Sequence, residues 1–534
     1  MGPQVKGAFD TSGELPYSEG TMVKGGLSFH TTEPVHWLLA WSRVCPDKAA
    51  LIHDGRPITY AELLEGISRT ANLLLGIGLG RGDRVAVLLH NCPEFIEAFF
   101  AISWIGAIMV PVNFRFEPSE IAYVLKDAEA QALLFGGEFC RAVASIREEL
   151  PVPSGRYICL GEEVPPWALN YSRGKAEASS TPPSVNGEDW EAPHILMYTS
   201  GTTGFPKGAL LSKRKTFFNV LNALHYYRLR PEDVAVLSRP LFHSGGLIVD
   251  TLPLLYTGGT VVMKRRFDPE ELLWTVERYR VTVLETSATM YRFILQEGEL
   301  DRHDLSSVRC FFTGGEVVPL SLLEAYRERG ILLCQLYGQT ETSTITYLPP
   351  EHAARKMGSV GVPVPHGEVK LVDEEGQEVP PGEVGEIVVE GPILMSGYWR
   401  RPAETAEVMK DGWLHTGDLA RRDEEGFHWI VDRERNVFIS GGENVYPAEV
   451  ERILLEHPKV AEAAVVGVPD PRWGEVGKAY VVPKPGEGIA PEEVIEWCRG
   501  RMARYKIPRY VEVVEALPRN ASGKVDRKKL RRSP

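Results

Sequence analysis

Residues 198–208, Tyr198-Thr199-Ser200-Gly201-Thr202-Thr203-Gly204-Phe205-Pro206-Lys207-Gly208, decide how this chain is read. These eleven residues hold three glycines, four Ser/Thr hydroxyls and one lysine. Glycine lets backbone N–H groups close on an anion. The hydroxyls of Thr199, Ser200, Thr202 and Thr203 add donors, and Lys207 adds a compact positive charge. The apolar run 195–198 just before them is expected to be a buried strand that delivers the loop. Polyphosphate is the ligand for which such a loop is suited. The stretch is not a Walker A motif, because Pro206 stands where that motif's second glycine belongs.

Outward from the loop, a chain of 534 residues exceeds one ordinary core, so two or more domains are expected. An apolar fraction of 43% and a charged fraction of 25% are those expected of a soluble globular protein. A net charge of −13 argues against a nucleic-acid binder. Basic clusters at 213–215, 264–266 and 527–532 are expected to be solvated surface charge; the first two leave peripheral membrane contact open. Seven cysteines with no C-x-x-C pair suit reduced thiols of a cytoplasmic protein, not a disulfide framework or a zinc site. Residues 1–28 are Gly-rich and polar, a loose extension with no signal-peptide pattern. The longest apolar run, 98–112, is too short to span a bilayer, lies between Glu97 and Arg115, and is expected to be a buried core helix.

Thr59-Tyr60-Ala61-Glu62 is a capping box, with Leu63, Ile67, Ala71 and Leu74 following at helical spacing. Strand-like runs at 85–89, 260–263, 281–284 and 308–312 alternate with helical ones, which predicts a layered α/β body. Over 367–431 short alternating strands and Gly-containing turns predict a β-rich subdomain. From about 436 a compact α+β unit is predicted: helices from Ala448 and Pro491, strands at 463–466 and 479–482.

Four further motifs follow the loop in order. They are Tyr337-Gly338-Gln339-Thr340-Glu341, Thr416-Gly417-Asp418, the stretch from Arg433 to Pro447 that includes Ser440-Gly441-Gly442-Glu443-Asn444, and Pro518 to Lys524. With them the chain resembles the adenylate-forming (AMP-binding) superfamily: acyl-CoA and aryl-CoA synthetases, firefly-type luciferases and peptide-synthetase adenylation domains. Within it the chain looks most similar to fatty-acyl-CoA ligases. The resemblance implies an AMP-binding domain over 29–434 and a small mobile C-terminal lid over 435–534.

The reaction so implied has two steps. A small-molecule carboxylate attacks the α-phosphorus of ATP and expels pyrophosphate; the thiol of CoA then attacks the acyl adenylate and expels AMP. Both steps need phosphate charge neutralised more than covalent help. Lys524, Glu341, Thr199 and Lys207 resemble the catalytic set, and Glu341 is the carboxylate for Mg²⁺. The nucleotide contacts implied are Thr199, Ser200, Gly201, Thr202, Thr203, Gly204 and Lys207 of the loop, Gly315, Glu316, Tyr337, Gly338, Gln339 and Thr340, the ribose pair Asp418 and Arg433, and Lys524. Phe242, His243, Gly315 and Gly338 match the acyl pocket. Arg435, Ser440, Gly441, Gly442 and Glu443 match the hinge and the CoA side. The family often has Asp where this chain has Asn436, which removes a salt bridge at the hinge. No acidic residue lies between Leu241 and Val249, so an amino-acid substrate is disfavoured. The apolar 245–248 segment puts a medium- or long-chain fatty acid first. An aryl acid, or loading of a carrier protein, is the alternative. A non-catalytic AMP sensor is disfavoured by the intact Lys524 and Glu341. A homodimer is left open.

Overall fold

The computed structural model describes residues 33–532 except 185–188, 200–205, 298, 317, 434–435, 441–442, 503 and 521–522. The extension 1–28 thus lies outside the described residues. Two large sheets form the body. The nine-stranded sheet carries a parallel set, Thr260–Met263, Val234–Leu237, Val283–Glu285, Cys310–Gly314 and Leu333–Gln339, continued by antiparallel Ser343–Tyr347. The eight-stranded sheet centres on Arg84–Leu88, Ile108–Pro111 and Pro193–Thr199, with the hairpin partner Lys207–Ser212. One continuous apolar core runs through both.

The capping box forms as expected. Thr59 Oγ1 accepts from the Glu62 N–H at 3.1 Å, the Glu62 carboxylate accepts from the Thr59 N–H at 2.8 Å, and Leu63, Ile67, Ala71 and Leu74 face the core. The apolar run 98–112 differs from expectation. A buried helix Pro93–Trp104 ends in it, Gly106 turns at φ +73°, and Ile108–Pro111 leaves as a strand. Every residue of the run is apolar or buried, so no periodicity marks where helix gives way to strand. Phe95, Phe99 and Phe100 of that helix are fully buried. Removing any one of them costs about 3–5 kcal/mol.

The first basic cluster departs from solvated surface charge, while Arg265, Arg266, Lys528, Lys529 and Arg531 of the other two are exposed as expected. Lys213 is buried against Glu33, Lys215 is buried against Ser343, and Arg214 pairs with Glu191 at 2.7 Å. Lys264 pairs with Glu271 and Arg265 with Glu138. Arg527 grips Glu451 with two bonds of 2.6 and 2.7 Å. All seven cysteines are free. Among the described residues no helix is long and apolar enough to cross a membrane.

Strands Glu368–Val372, Val384–Glu390, Trp413–Arg422 and His428–Arg433 form the separate β-rich sheet. A last sheet, built from Phe438–Ser440, Glu443–Val445, Val460–Asp470, Gly474–Pro483 and Tyr510–Val513, has its own core around Phe438, Val450, Leu454 and Val481. The whole is a mixed α/β protein with a large body and a smaller C-terminal unit.

Candidate active site

The phosphate-loop stretch is a hairpin connection. Thr199 pairs with Lys207, and Tyr198 with Gly208. Ser200, Gly201, Thr202, Thr203 and Gly204 lie outside the described residues. At the Thr199 end the hairpin meets Glu341, which the tight turn after Leu333–Gln339 presents. Glu341 is buried, and its Oε1 accepts from Tyr398 Oη at 2.9 Å and from Thr199 Oγ1 at 3.4 Å. Lys207 lays its ammonium over the Tyr398 ring, 5.5 Å from the centroid. Burial, then the Glu341 charge, pushes the Tyr398 hydroxyl up, so it stays a donor. Tyr398 was not found from the sequence. It arrives on the two-residue strand Gly397–Tyr398, which pairs with Lys207–Ser212, and only that pairing signals it.

Among the described residues no group of three acidic, His or Cys side chains gathers. A magnesium ion here would therefore rest on Glu341 and on phosphate oxygens, which is how this ion commonly binds. Thr340 is half-buried beside it.

The second half of the site lies on the same strand. Tyr337 Oη and Gln339 Nε2 both donate to Asp418 Oδ2 at 2.7 Å, and Gln339 Nε2 also reaches the Thr416 carbonyl at 2.8 Å. Asp418 is buried and sits opposite Arg433 in register. Between the two halves Gly338 admits no side chain, since a Cβ there would lie 1.7 Å from the Ser343 carbonyl oxygen. Gly315 and Glu316 are exposed, and the Glu316 carboxylate is engaged at the start of helix Ala288–Glu297 by the Thr289 N–H (2.7 Å) and hydroxyl (3.0 Å).

The acyl side begins at Phe242 and His243, whose rings are 4.2 Å apart; Phe114 packs edge-on against Phe242 at 5.0 Å. Burial holds the His243 pKa down to about 3, helped by the positive charges of Lys524, Arg115 and Arg239. His243 is therefore a neutral imidazole at any working pH. Lys524 belongs to the small domain, in a turn where its N–H bonds Asn520 Oδ1 at 3.0 Å and its carbonyl accepts from the Asn520 N–H at 2.8 Å. Its positive charge is one of the three that, after burial, hold the His243 pKa down. Arg115 went unnoticed in the sequence, where it was only the flank of an apolar run.

At the hinge, Asp432 accepts from Asn436 Nδ2 at 3.1 Å and from the Ala448 N–H at 2.6 Å. Asn436 thus serves as donor to a buried carboxylate that a second Asp would repel. The Arg433 and Glu443 side chains, Arg435, Gly441 and Gly442 lie outside the described residues; Ser440 is buried opposite Glu443.

Beneath these groups helix Lys213–Tyr227 turns a polar stripe inward. Lys215 is fully buried, donates to Ser343 Oγ at 2.8 Å, and has its pKa lowered by burial to about 7, against the pull of Glu341. Tyr226 Oη meets Thr344 Oγ1 at 3.3 Å. Deeper still, Arg239 bonds Asp250 through two nitrogens and Glu285 at 2.6 Å. The flanking segment Gly245–Thr251, which contains the 245–248 run expected to be an apolar acyl contact, is a wide π-type turn whose Asp250 belongs to this ion cluster.

Comparison with known proteins decides the family. Residues 38–399 match the AMP-binding enzyme family, and residues 449–524 match the AMP-binding enzyme C-terminal domain. The chain belongs to the AMP-binding enzyme family. This AMP-binding enzyme is 42% identical to feruloyl-CoA synthase from an Amycolatopsis species over 497 residues, 93% of this chain and 98% of that one. It is 36% identical to indoleacetate–CoA ligase from Aromatoleum aromaticum over 498 residues, 93% and 97% of the two chains. Among solved structures, o-succinylbenzoate CoA synthetase from Bacillus subtilis with its acyl-adenylate intermediate superposes with a TM-score of 0.84 at 35% identity, covering 93% of this chain and 98% of that one. The same Bacillus enzyme has also been solved with ATP and a magnesium ion. As an AMP-binding enzyme with such relatives, the chain is an AMP-forming acid–thiol ligase.

Proposed function

We propose that this enzyme activates an aryl carboxylic acid with ATP and Mg²⁺ as its acyl adenylate, then transfers the acyl group to CoA. The observation that carries the reading is that Glu341, bonded by Thr199 and Tyr398, and Asp418, bonded by Tyr337 and Gln339, flank one strand end, where the positive charge of Lys524 also helps hold His243 neutral. A lysine there can neutralise the carboxylate and phosphate oxygens as charge builds in the first step. A unit charge at ~4 Å in a partly dry site is worth on the order of 4 kcal/mol before desolvation. Glu341 takes the role of magnesium carboxylate. Asp418, oriented by Tyr337 and Gln339, takes the role of ribose acceptor, and Thr199 and Lys207 bracket the phosphates. His243, held neutral, borders the acyl group without adding a charge that would compete for the carboxylate.

An aryl acid ranks before a fatty acid for two reasons. The relatives named above carry aryl acids in their names, and the buried Arg239–Asp250–Glu285 cluster places charge where a long alkyl chain needs apolar wall. Thioester formation over a panel of straight-chain acids, benzoates and cinnamates, with CoA or a phosphopantetheinyl carrier protein as acceptor, tests the reading. A kcat/KM maximum among aryl acids with CoA is expected. A rate that climbs by about 0.8 kcal/mol per added methylene through the longest chains would return the enzyme to fatty acids.

A further inference from the structure

The sheet that carries the site also carries a set of polar atoms that the two-step reaction does not use. Glu285 is the last residue of its strand and lies opposite Phe312 in register; Gly314, next to Gly315 of the proposed acyl pocket, is two residues further along the next strand and faces the same way. At ~3.3 Å per residue, Glu285 sits roughly 7 Å deeper than Gly314. That is about the reach of an aromatic ring from the point where its carboxyl is held. Phe312 packs edge-on against Tyr227 at 5.0 Å, and Tyr227 against Tyr226 at 4.5 Å, so this depth is walled by rings.

Glu285 Oε2 and Tyr227 Oη are both buried without a hydrogen-bond partner. Both line one cavity of about 20 Å³, closed by Ala235, Val283, Leu254 and Asp250. Such a volume admits one oxygen-sized group and nothing larger. One arginine here faces two carboxylates. Arg239 gives two bonds to Asp250 and one to Glu285 Oε1, while burial pushes the Glu285 carboxyl up. A carboxyl oxygen and a phenol, each uncommitted, can accept from and donate to one hydroxyl. Burying two such groups unpaired is unfavourable, which gives the cavity a standing demand for that hydroxyl.

Building on the aryl-acid reading above, we propose that this cavity is a distal specificity subsite. It takes a hydroxyl on the far end of the aryl acid, read by Tyr227 Oη and Glu285 Oε2. A hydroxyl oxygen could equally come from a trapped water, and the two sources separate by experiment. Steady-state kcat/KM is measured for 4-hydroxycinnamate and for cinnamate on the full chain, wild type, Tyr227→Phe and Glu285→Gln. The wild type is expected to prefer the hydroxylated acid by at least tenfold, because a site built to bond a hydroxyl rejects the analogue that lacks it. In Tyr227→Phe, which keeps the ring and its packing, that ratio should fall towards one. Glu285→Gln keeps the bond to Arg239 and should lower the ratio by a smaller factor. A wild-type ratio near one, or a ratio that survives Tyr227→Phe unchanged, would mean that the cavity holds only water, and the subsite would be withdrawn. If no acid in the panel yields a CoA ester while ATP–pyrophosphate exchange is also absent, the ligase reading itself falls and takes the subsite with it.

Discussion

The proposed nucleotide half of the site and the proposed acyl half are built on the same sheet edge by different means. Around Asp418 and Glu341 the groups lie in short sequence motifs, and hydrogen bonds of 2.7–2.9 Å that tie the strand Leu333–Gln339 and the turn after it to Asp418 and Tyr398 fix them. Around Tyr227, Asp250 and Glu285 they come from three separate elements and are fixed by burial. ATP is always the same molecule, so local motifs can hold it. The acid varies, and its pocket is set by side chains that happen to face one another across the core. The first half can fail by losing one bond; the second fails by changing which substrate fits.

Lys524→Ala should break the first half most severely. We expect adenylation to slow by ~10²-fold or more, about 2.7 kcal/mol at 1.36 per decade, while thioester formation from synthetic acyl adenylate falls far less. Single-turnover assays of the two half-reactions measure this. Equal losses in both would show that Lys524 does not act in the first step alone.

Next in size, Asp418→Ala removes the acceptor that Tyr337 and Gln339 share as well as the ribose contact. Hydrogen bonds to a charged group are worth about 1.5–3 kcal/mol each, so a 10- to 100-fold rise in the ATP dissociation constant is expected by calorimetry. An unchanged constant would assign the ribose to another group.

This contrast also explains what could be read without coordinates. The strand 195–198, the capping box at Thr59, the β-rich stretch and the C-terminal α+β unit were all legible, because local periodicity and turn chemistry declare them. Tyr337, Glu341 and Asp418 were legible as motif residues. Tyr398 was not, since a single tyrosine on a two-residue strand has no pattern of its own. Lys213 and Lys215 were misjudged as surface charge: a Lys-Arg-Lys run reads as solvated, and only tertiary packing shows two of its members buried beside Glu33 and Ser343. The end of the helix within 98–112 was hidden because residues buried on all sides carry no period.

Lys215 turns that misjudgement into a measurement. Its folded pKa of about 7 lies below the ordinary lysine value, near 10.4 when the chain is unfolded. Between those limits the unfolded chain binds the extra proton, so stability should rise as pH increases from 7 towards 10, with a slope of at most about 1.4 kcal/mol per pH unit. Lys215→Met should flatten that slope and raise stability at pH 7 by roughly 1–3 kcal/mol, the usual relief for an imperfectly paired buried polar group. Denaturation midpoints of both proteins from pH 6.5 to 9 check it. A variant less stable at every pH would show that the bond to Ser343 and the attraction of Glu341 outweigh burial.

The smallest effect is expected at the hinge. Asn436→Asp restores the residue that relatives of this type often carry, but here it would set a second carboxylate 3.1 Å from Asp432, which is buried and also accepts the Ala448 N–H that starts helix Pro447–Leu455. On the proposed function, those two bonds would help hold the small domain in the setting that brings Lys524 to the site. Asn436 is half-buried, so repulsion is partly screened and a penalty of about 0.5 kcal/mol is reasonable, within the 0–1 kcal/mol span of partly exposed charge pairs. That amounts to roughly a twofold change in the occupancy of the setting. Adenylation should therefore slow about twofold relative to thioester formation in Asn436→Asp, and the difference should fade in 0.5 M salt as the Debye length shrinks below about 5 Å. A ratio that moves the other way, or one indifferent to salt, would mean that the second carboxylate finds a cation within the hinge and that the Asp432–Asn436 bond does not hold the small domain in place.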